Sequence, residues 1–318
     1  MESNSSKVFD NLKPLPCPPL SSPFVRLSAS DNQHDLFLMT ILLVNFLLSL
    51  LTILTNFVVV FTIIKTPNLQ TPSNILILNL AVTDFFVGVI AEPFTCASKY
   101  AELKRNVQLL CSNGLVVSNC LWVLSLMSLI ALTAITVDRF LAIHLHLRYR
   151  QLITTRRYAI LHFSIWVFIA TVGVARILYE NQRLYLPFST ILYASLSLTT
   201  LCFIFKINRV IKRHSSQIHA QLNSSTVPIS TTINMPKIKK SVIVMMMTLG
   251  AFLACYIPYF GIMITFIVVK EPSIAKGYAS NITITMVKIN SLINPIIYCW
   301  RIRELRSAAF RILRKICS

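Results

Sequence analysis

The sequence predicts an all-α fold: a bundle of seven transmembrane helices with a short amphipathic eighth helix on the cytoplasmic side. Two observations lead to this prediction. Of the 318 residues, 55% are hydrophobic and only 13% are charged, whereas an ordinary soluble domain has about 25% charged residues. The mean hydropathy is +0.67, and the apolar residues are gathered into long runs that match the roughly 20 residues a helix needs to cross a bilayer.

Seven such runs occur, and we number them span one to span seven. They cover approximately Leu36 to Ile64, Ser73 to Ser98, Leu109 to Ile143, Tyr158 to Leu178, Leu184 to Val210, Ser241 to Val269 and Ile274 to Trp300. Each is expected to be helical because lipid offers the backbone no hydrogen-bond partners. Arg176, Glu180 and Arg183 crowd the short connection between spans four and five. If those two runs formed one broken span, the count would be six.

The positions of lysine and arginine predict how the spans are oriented. Cytoplasmic loops carry an excess of these residues near the ends of spans. With the N-terminus outside the cell, 19 of the 30 basic residues fall on the cytoplasmic side, ten lie outside and Lys288 lies within span seven. This asymmetry explains the net charge of +19 by membrane topology, without nucleic acid as a partner, and predicts a multi-pass protein of the plasma membrane.

The regions that flank the spans are predicted to differ in role. Residues 1–35 form a polar extracellular tail, in which Asn4 of Asn4-Ser5-Ser6 is a glycosylation acceptor. Residues 36–300 form the seven-transmembrane domain. Residues 301–318 place apolar side chains at helical spacing among arginines, which predicts an amphipathic helix on the lipids of the inner leaflet. Cys317 is a candidate for palmitoylation, and an unmodified basic tail is the alternative.

Several functional classes lack their motifs in this chain. The six glycines lie at least eleven positions apart, so neither a GxGxxG turn nor a Walker phosphate loop occurs. There is no CxxC or HExxH motif, and we predict that the protein is not an enzyme. A transporter or channel is the rival class. It is disfavoured because only Asp84, Glu92 and Lys288 are candidates for ionisable residues inside the spans, too few to line a path.

Buried polar residues carry the functional signal, since an ionisable group in a bilayer is costly and normally has a partner or a task. Asp84 lies in the middle of span two, with Asn56 and Ser128 as possible neighbours from spans one and three. Span seven carries three polar residues within five positions: Asn290, Ser291 and Asn294. This group could coordinate a monovalent cation, or it could tie the helices together by hydrogen bonds.

Other landmarks lie at span ends and bends. Asp138-Arg139-Phe140 closes span three at its cytoplasmic end, where the carboxylate can hold Arg139 at the membrane boundary; an interfacial arginine without a further role is the alternative. Pro258 and Pro295 each remove a backbone hydrogen bond, which predicts kinks in spans six and seven.

Together these landmarks resemble the rhodopsin-like G-protein-coupled receptor family, over nearly the whole chain from Asn56 onward. The motifs that carry the resemblance are Asn56, Leu80-Ala81-Val82-Thr83-Asp84, Asp138-Arg139-Phe140, Trp166, Phe252 with Pro258, and Asn294-Pro295-Ile296-Ile297-Tyr298. The resemblance implies an allosteric sodium pocket formed by Asp84, Ser128, Asn290, Ser291 and Asn294. It also implies a G-protein coupling switch formed by Asp138, Arg139 and Tyr298.

The resemblance further implies a mechanism in which an extracellular agonist favours an outward swing of span six, which opens a cleft at Arg139 for a heterotrimeric G protein. This chain has Phe140 in place of the family's usual tyrosine and Tyr256 in place of its usual tryptophan. Where many relatives carry an acidic partner for the arginine, it offers only lysines: Lys237, Lys239 and Lys240. We therefore expect signalling without agonist.

Within the family, Asn290-Ser291 and the run from Arg301 to Arg306 are similar to the adenosine, melanocortin and cannabinoid receptor group. The family usually has a disulfide between span three and the second extracellular loop, but no cysteine occurs between Cys120 and Cys202. A short loop without cysteine is a melanocortin-receptor trait. The extracellular candidates for any other disulfide are three: Cys17, Cys96 and Cys111.

The expected ligand is an extracellular small molecule or peptide. Leu121 occupies the place of the aspartate that binds amines in aminergic relatives, which disfavours monoamines. The residues expected around the ligand are Glu92, Leu121, Trp122, Tyr256, Tyr259, Phe260 and Lys288, an aromatic and largely apolar set. Lys288 stands where opsins attach retinal as a Schiff base. The alternatives are therefore a retinal-binding photoreceptor, with Glu92 as the candidate counterion, and a Lys288 that pairs with Glu92 or anchors a ligand.

Overall fold

The computed structural model describes residues 32–145, 148–179, 182–222, 235–268 and 274–317. These residues are helical apart from short turns, and no β-strand occurs among them. Seven of their helices are long and apolar enough to cross a membrane. The predicted all-α class and the seven spans are therefore confirmed, and spans four and five are separate helices.

The helices follow the predicted spans closely in the apolar parts of the chain. Spans one to seven are Asn32–Lys65, Pro72–Leu103, Val107–Leu145, Thr155–Tyr179, Gln182–Leu222, Met235–Val268 and Ile274–Arg301. Spans five and six extend beyond their predicted cytoplasmic ends at Val210 and Ser241. The reason is that apolar composition marks only the part of a helix that faces lipid, while the backbone hydrogen bonds continue through polar residues.

Span two is not one regular helix. It consists of an α-helix at Pro72–Phe86, a π-helical turn at Val87–Ala91 and a second α-helix at Glu92–Leu103. The wider turn lies just before Pro93, whose ring and missing N–H do not fit a regular α-helical ladder.

Gly88, inside this turn, allows spans one and two to approach closely. Its carbonyl accepts a hydrogen bond of 2.9 Å from the Ser49 hydroxyl, and a Cβ added to it would lie 2.8 Å from Ile53 Cγ1. The close packing buries the Glu92 side chain that follows the turn.

The bundle is apolar on the outside and partly polar inside. Span one shows this well, because Leu43, Leu47, Leu50 and Leu54 are exposed, as expected of side chains that face lipid. Its inward face carries five buried polar residues: Asn45, Ser49, Thr52, Asn56 and Thr62. Polar groups inside lipid-facing helices need partners from neighbouring helices, and these partners build the sites described below.

The C-terminal helix, Arg303–Cys317, follows span seven after a break at Ile302. Leu305, Ala308 and Ala309 are buried, and Ala308 and Leu305 join the core cluster of the bundle. Phe310 is exposed, as are Arg303, Arg311 and Arg314. The predicted helix after the seventh span is therefore confirmed. Asn4 and the side chain of Cys317 lie outside the described residues.

Candidate functional site

Asp84 and its expected neighbours meet in the middle of the bundle. The Asp84 carboxylate is fully buried; its Oδ2 accepts a hydrogen bond of 2.8 Å from Asn294 Nδ2, and its Oδ1 accepts one of 3.3 Å from the Ser128 hydroxyl. The Ser291 hydroxyl also contributes to the stabilisation of this carboxylate. Spans two, three and seven are thus joined through one acidic group.

Span one completes this polar region. Asn56 Nδ2 donates to the backbone carbonyl of Ser291 at 3.1 Å and to that of Thr52 at 3.0 Å. Asn290 is buried one helical turn before Asn294, and the Oδ1 atoms of both residues have no hydrogen-bond partner within the described part of the chain. Buried oxygen atoms without a donor are unfavourable unless something binds them.

This donor set fits a monovalent cation. The site offers a carboxylate, two hydroxyl groups and two amide oxygens with free lone pairs. These are hard oxygen ligands, the kind that alkali and alkaline-earth cations bind in proteins. No group of three or more His, Cys, Asp or Glu side chains that could hold a metal occurs in the described ranges, so the chemistry here is that of one charged ligand among neutral ones.

The Asp138 carboxylate, at the predicted cytoplasmic end of span three, is surrounded by hydroxyl groups. Tyr149 and Tyr158 donate to its Oδ1 at 2.6 and 2.9 Å, and Ser73 donates to its Oδ2 at 2.8 Å. Burial and the charge of Asp138 raise the pKa of the Tyr149 phenol well above its ordinary value, so Tyr149 remains a protonated donor. Asp138 is fully buried, and three donors compensate for its charge.

Arg139 is held only loosely by the neighbouring Asp138. Its Nε lies 3.7 Å from Asp138 Oδ2, beyond hydrogen-bond distance, and this Nε has no hydrogen-bond partner among the described residues. Tyr298, the third residue of the expected switch, is buried in the same cytoplasmic cluster as Ile135 of span three. The side chains of Lys237, Lys239 and Lys240 lie outside the described residues.

The aromatic residues of the expected ligand pocket form one cluster. Phe252 and Tyr256 stack with ring centroids 4.0 Å apart, and Tyr193 of span five contacts Phe260 at 5.5 Å. The Tyr193 hydroxyl hydrogen-bonds to Ser125 Oγ at 2.6 Å, which fixes it against span three. Tyr259 and Trp122 pack on the edge of the same cluster. Leu121 packs against a separate cluster formed by Val87, Ala91 and Leu124.

Lys288 and Glu92 lie in a different place, between spans one, two and seven. Lys288 is only 1% exposed, and its Nζ donates a hydrogen bond to Asn45 Oδ1 of span one. Glu92 and Lys288 attract each other electrostatically. The residues expected around one ligand are therefore divided between an aromatic cluster and a polar group.

The structure shows that two cysteines at the predicted extracellular side differ in their bonding state. Cys111, at the start of span three, is disulfide-bonded, whereas Cys96 in span two is a free thiol. Of the three candidates, Cys17 lies outside the described residues.

Sequence reasoning missed several residues of these sites: Asn45, Ser73, Ser125, Tyr149, Tyr158 and Tyr193. Asn45 could have been found, because it precedes Asn56 by eleven positions, about three helical turns, and so lies on the same face of span one. The tyrosines had no such signal. A tyrosine in a connection or near a span end is common, and only the fold brings Tyr149 and Tyr158 to Asp138.

Comparison with known proteins agrees with this architecture. The model of the 7 transmembrane receptor (rhodopsin family) matches residues 55–298. Melanocortin receptor 5 of Mus musculus is 28% identical over 274 residues, which cover 81% of this chain and 79% of that receptor. Melanocortin receptor 4 of Danio rerio is 28% identical over 300 residues, which cover 92% and 87%. The chain belongs to the rhodopsin family of seven-transmembrane receptors and is similar to its melanocortin group.

Proposed function

We propose that this protein is a plasma-membrane receptor, with its N-terminus outside the cell, that activates heterotrimeric G proteins when a ligand binds from outside. The observation that carries the proposal is the loosely held Arg139, beside a buried Asp138 whose charge is compensated by three hydroxyl groups. An arginine in this situation can leave its neighbour at little cost and contact a partner when span six moves outward at its cytoplasmic end.

The proposal includes a sodium pocket at Asp84, with Ser128, Asn290, Ser291 and Asn294 as the surrounding groups. Bound sodium would neutralise the carboxylate and occupy the amide oxygens that lack donors. Because these ligands come from spans two, three and seven, an ion that binds one arrangement of the helices better than another shifts the population toward it. Asn4 glycosylation, Cys317 palmitoylation and membrane contact of residues 301–318 are further parts of the proposal.

The aromatic cluster is the proposed ligand-binding region. It joins spans three, five and six through Trp122, Tyr193 and Phe260, so a ligand that inserts here acts on the span that has to move. The curated relatives are named as melanocortin receptors, and a melanocortin peptide is therefore the first ligand to test. Leu121 offers no charge to an amine.

Signalling without agonist is expected to depend on the two tyrosines at Asp138. Replacing both, Tyr149→Phe and Tyr158→Phe, leaves Ser73 as the one described hydroxyl donor, so Asp138 should bind Arg139 more strongly and agonist-free signalling should fall several-fold. A hydrogen bond to a charged group contributes about 1.5–3 kcal/mol. The measurement is second-messenger level per receptor at the surface of transfected cells, compared with empty vector.

Tyr100→Phe, an exposed tyrosine at the other end of the bundle, serves as the matched control. A double variant that signals as strongly as the unchanged receptor would contradict this role of the tyrosines. Unchanged receptor that signals no more than empty vector would contradict the expectation of agonist-free signalling itself.

The retinal-binding alternative is tested directly at Lys288. Glu92 supplies a nearby carboxylate, but the amine is fully buried and donates to Asn45, away from the aromatic cluster. We expect no visible absorption band after expression with 11-cis-retinal. A band that disappears in Lys288→Ala would instead establish a photoreceptor.

A further inference from the structure

The proposed coupling mechanism does not use the one buried pair of opposite charges in the described spans. Glu92 of span two and Lys288 of span seven are 0% and 1% exposed. They attract each other, yet no direct ion pair within 4.0 Å joins them in the described structure. Direct contact between the two residues therefore does not compensate the charge of either one.

Asn45 holds the lysine in place. Its Nδ2 donates to the Ile41 carbonyl at 2.7 Å and to Thr285 Oγ1 at 3.2 Å, which leaves Oδ1 to accept from Lys288 Nζ. Thr285 in turn donates to the Asn281 carbonyl at 2.9 Å. Both N–H groups of the Asn45 amide and the Thr285 hydroxyl have an acceptor, so the amide of Asn45 has one favourable orientation, and that orientation directs the lysine to span one.

Lys288 is the main group that stabilises the negative charge of the Glu92 carboxylate. Neither of its oxygen atoms has a hydrogen bond of standard geometry in the described part of the chain, and the nearby Thr52 hydroxyl stabilises it less than Lys288 does. A buried carboxylate with so little hydrogen bonding is unfavourable, and Lys288 supplies the positive charge that acts on it. Removing only one member of a buried charge pair is strongly destabilising, whereas removing both is much less so.

We propose that Asn45, Glu92 and Lys288 form an interhelical brace, with Asn45 as its positioning residue, that keeps span seven against spans one and two in the resting receptor. The proposal rests on the proposed function for its effect on signalling. Span seven also carries Asn294, which donates to Asp84, so a shift of Lys288 along or about the helix axis would also disturb the cation pocket. Loosening the brace therefore favours other arrangements of span seven and raises agonist-free signalling.

The experiment is a double-mutant cycle in the full-length receptor with Lys288→Met and Glu92→Gln. For each variant we would measure the apparent melting temperature in detergent, the amount of receptor at the cell surface, and agonist-free signalling per surface receptor. Each single variant is expected to melt lower and to signal several-fold more than the unchanged receptor. The double variant should recover most of the lost melting temperature, because it leaves no charge without a partner. If Lys288→Met does not reach the surface, recovery of surface receptor in the double variant reports the same coupling.

Asn45→Leu tests the positioning role. It should raise agonist-free signalling as Lys288→Met does, whereas Asn113→Leu, which removes another buried asparagine from span three, should not. Additive effects of the Glu92 and Lys288 substitutions would overturn the brace. Non-additive melting temperatures with unchanged signalling per receptor would overturn its resting-state role. If the unchanged receptor and all variants signal no more than empty vector, the proposed G-protein function fails, while the melting-temperature cycle still decides whether the brace exists.

Discussion

Replacing Arg139 by alanine is expected to reduce G-protein activation to the level of cells that lack the receptor. Among the described residues, the arginine is the one basic side chain that forms an ion pair with the buried Asp138, and its Nε makes no hydrogen bond there. Alanine has no group that could contact a G protein from this position. The measurement is second-messenger production in cells that express a panel of chimeric G proteins, with and without candidate ligands.

A matched arginine is available as the control. Arg156 is exposed at the same predicted cytoplasmic side, so Arg156→Ala removes an equal charge without touching Asp138. We expect this variant to keep most of the signal. If the Arg139→Ala receptor reaches the surface and activates any G protein of the panel as well as the unchanged receptor does, the coupling site lies elsewhere.

Replacing Asp84 by asparagine is expected to remove the dependence of the receptor on sodium. The substitution keeps the size of the side chain but removes the only charge among the proposed ligands. Sodium that binds the folded receptor and not the unfolded chain stabilises it by about 1.4 kcal/mol when its concentration is about ten times the dissociation constant. The unchanged receptor should therefore melt at a higher temperature in sodium chloride than in choline chloride of equal ionic strength.

Glu102→Gln provides the comparison for this experiment, since it neutralises another buried carboxylate of span two, which pairs with Lys99 and lies outside the brace. It is expected to lower the melting temperature in both salts while keeping the difference between them. If Asp84→Asn retains that difference, the ion does not bind at Asp84, and the polar residues there serve only to hold the helices together.

Much of the fold could be predicted because the bilayer leaves few choices. An apolar run of sufficient length has to be a helix, and the basic residues at its ends indicate its direction. The polar cluster at Asp84 was predictable for the same reason, since charge inside a span is rare. The ends of spans five and six were not predictable, because polar helix outside the lipid has no marker in the apolar pattern.

The contacts of the switch and of Lys288 depend on how spans pack, and the sequence carries little information about that. Three hydroxyl groups converge on Asp138 from positions 65 residues before it and 11 and 20 residues after it. Their side chains have no common spacing. Likewise, Lys288 and Glu92 were predicted to share a pocket with the aromatic residues, whereas the helices turn them toward span one.

The π-helical turn of span two determines which side of the bundle each later residue of that span faces. A turn of this kind contains one residue more than an α-helical turn, and each residue of an α-helix advances the chain by about 100°. Deleting one residue between Val87 and Ala91 would turn Cys96, Lys99 and Glu102 to a different side of the bundle while leaving Asp84 in place. When this chain is aligned with a relative whose second helix is regular, a one-residue gap inside this turn keeps equivalent faces together.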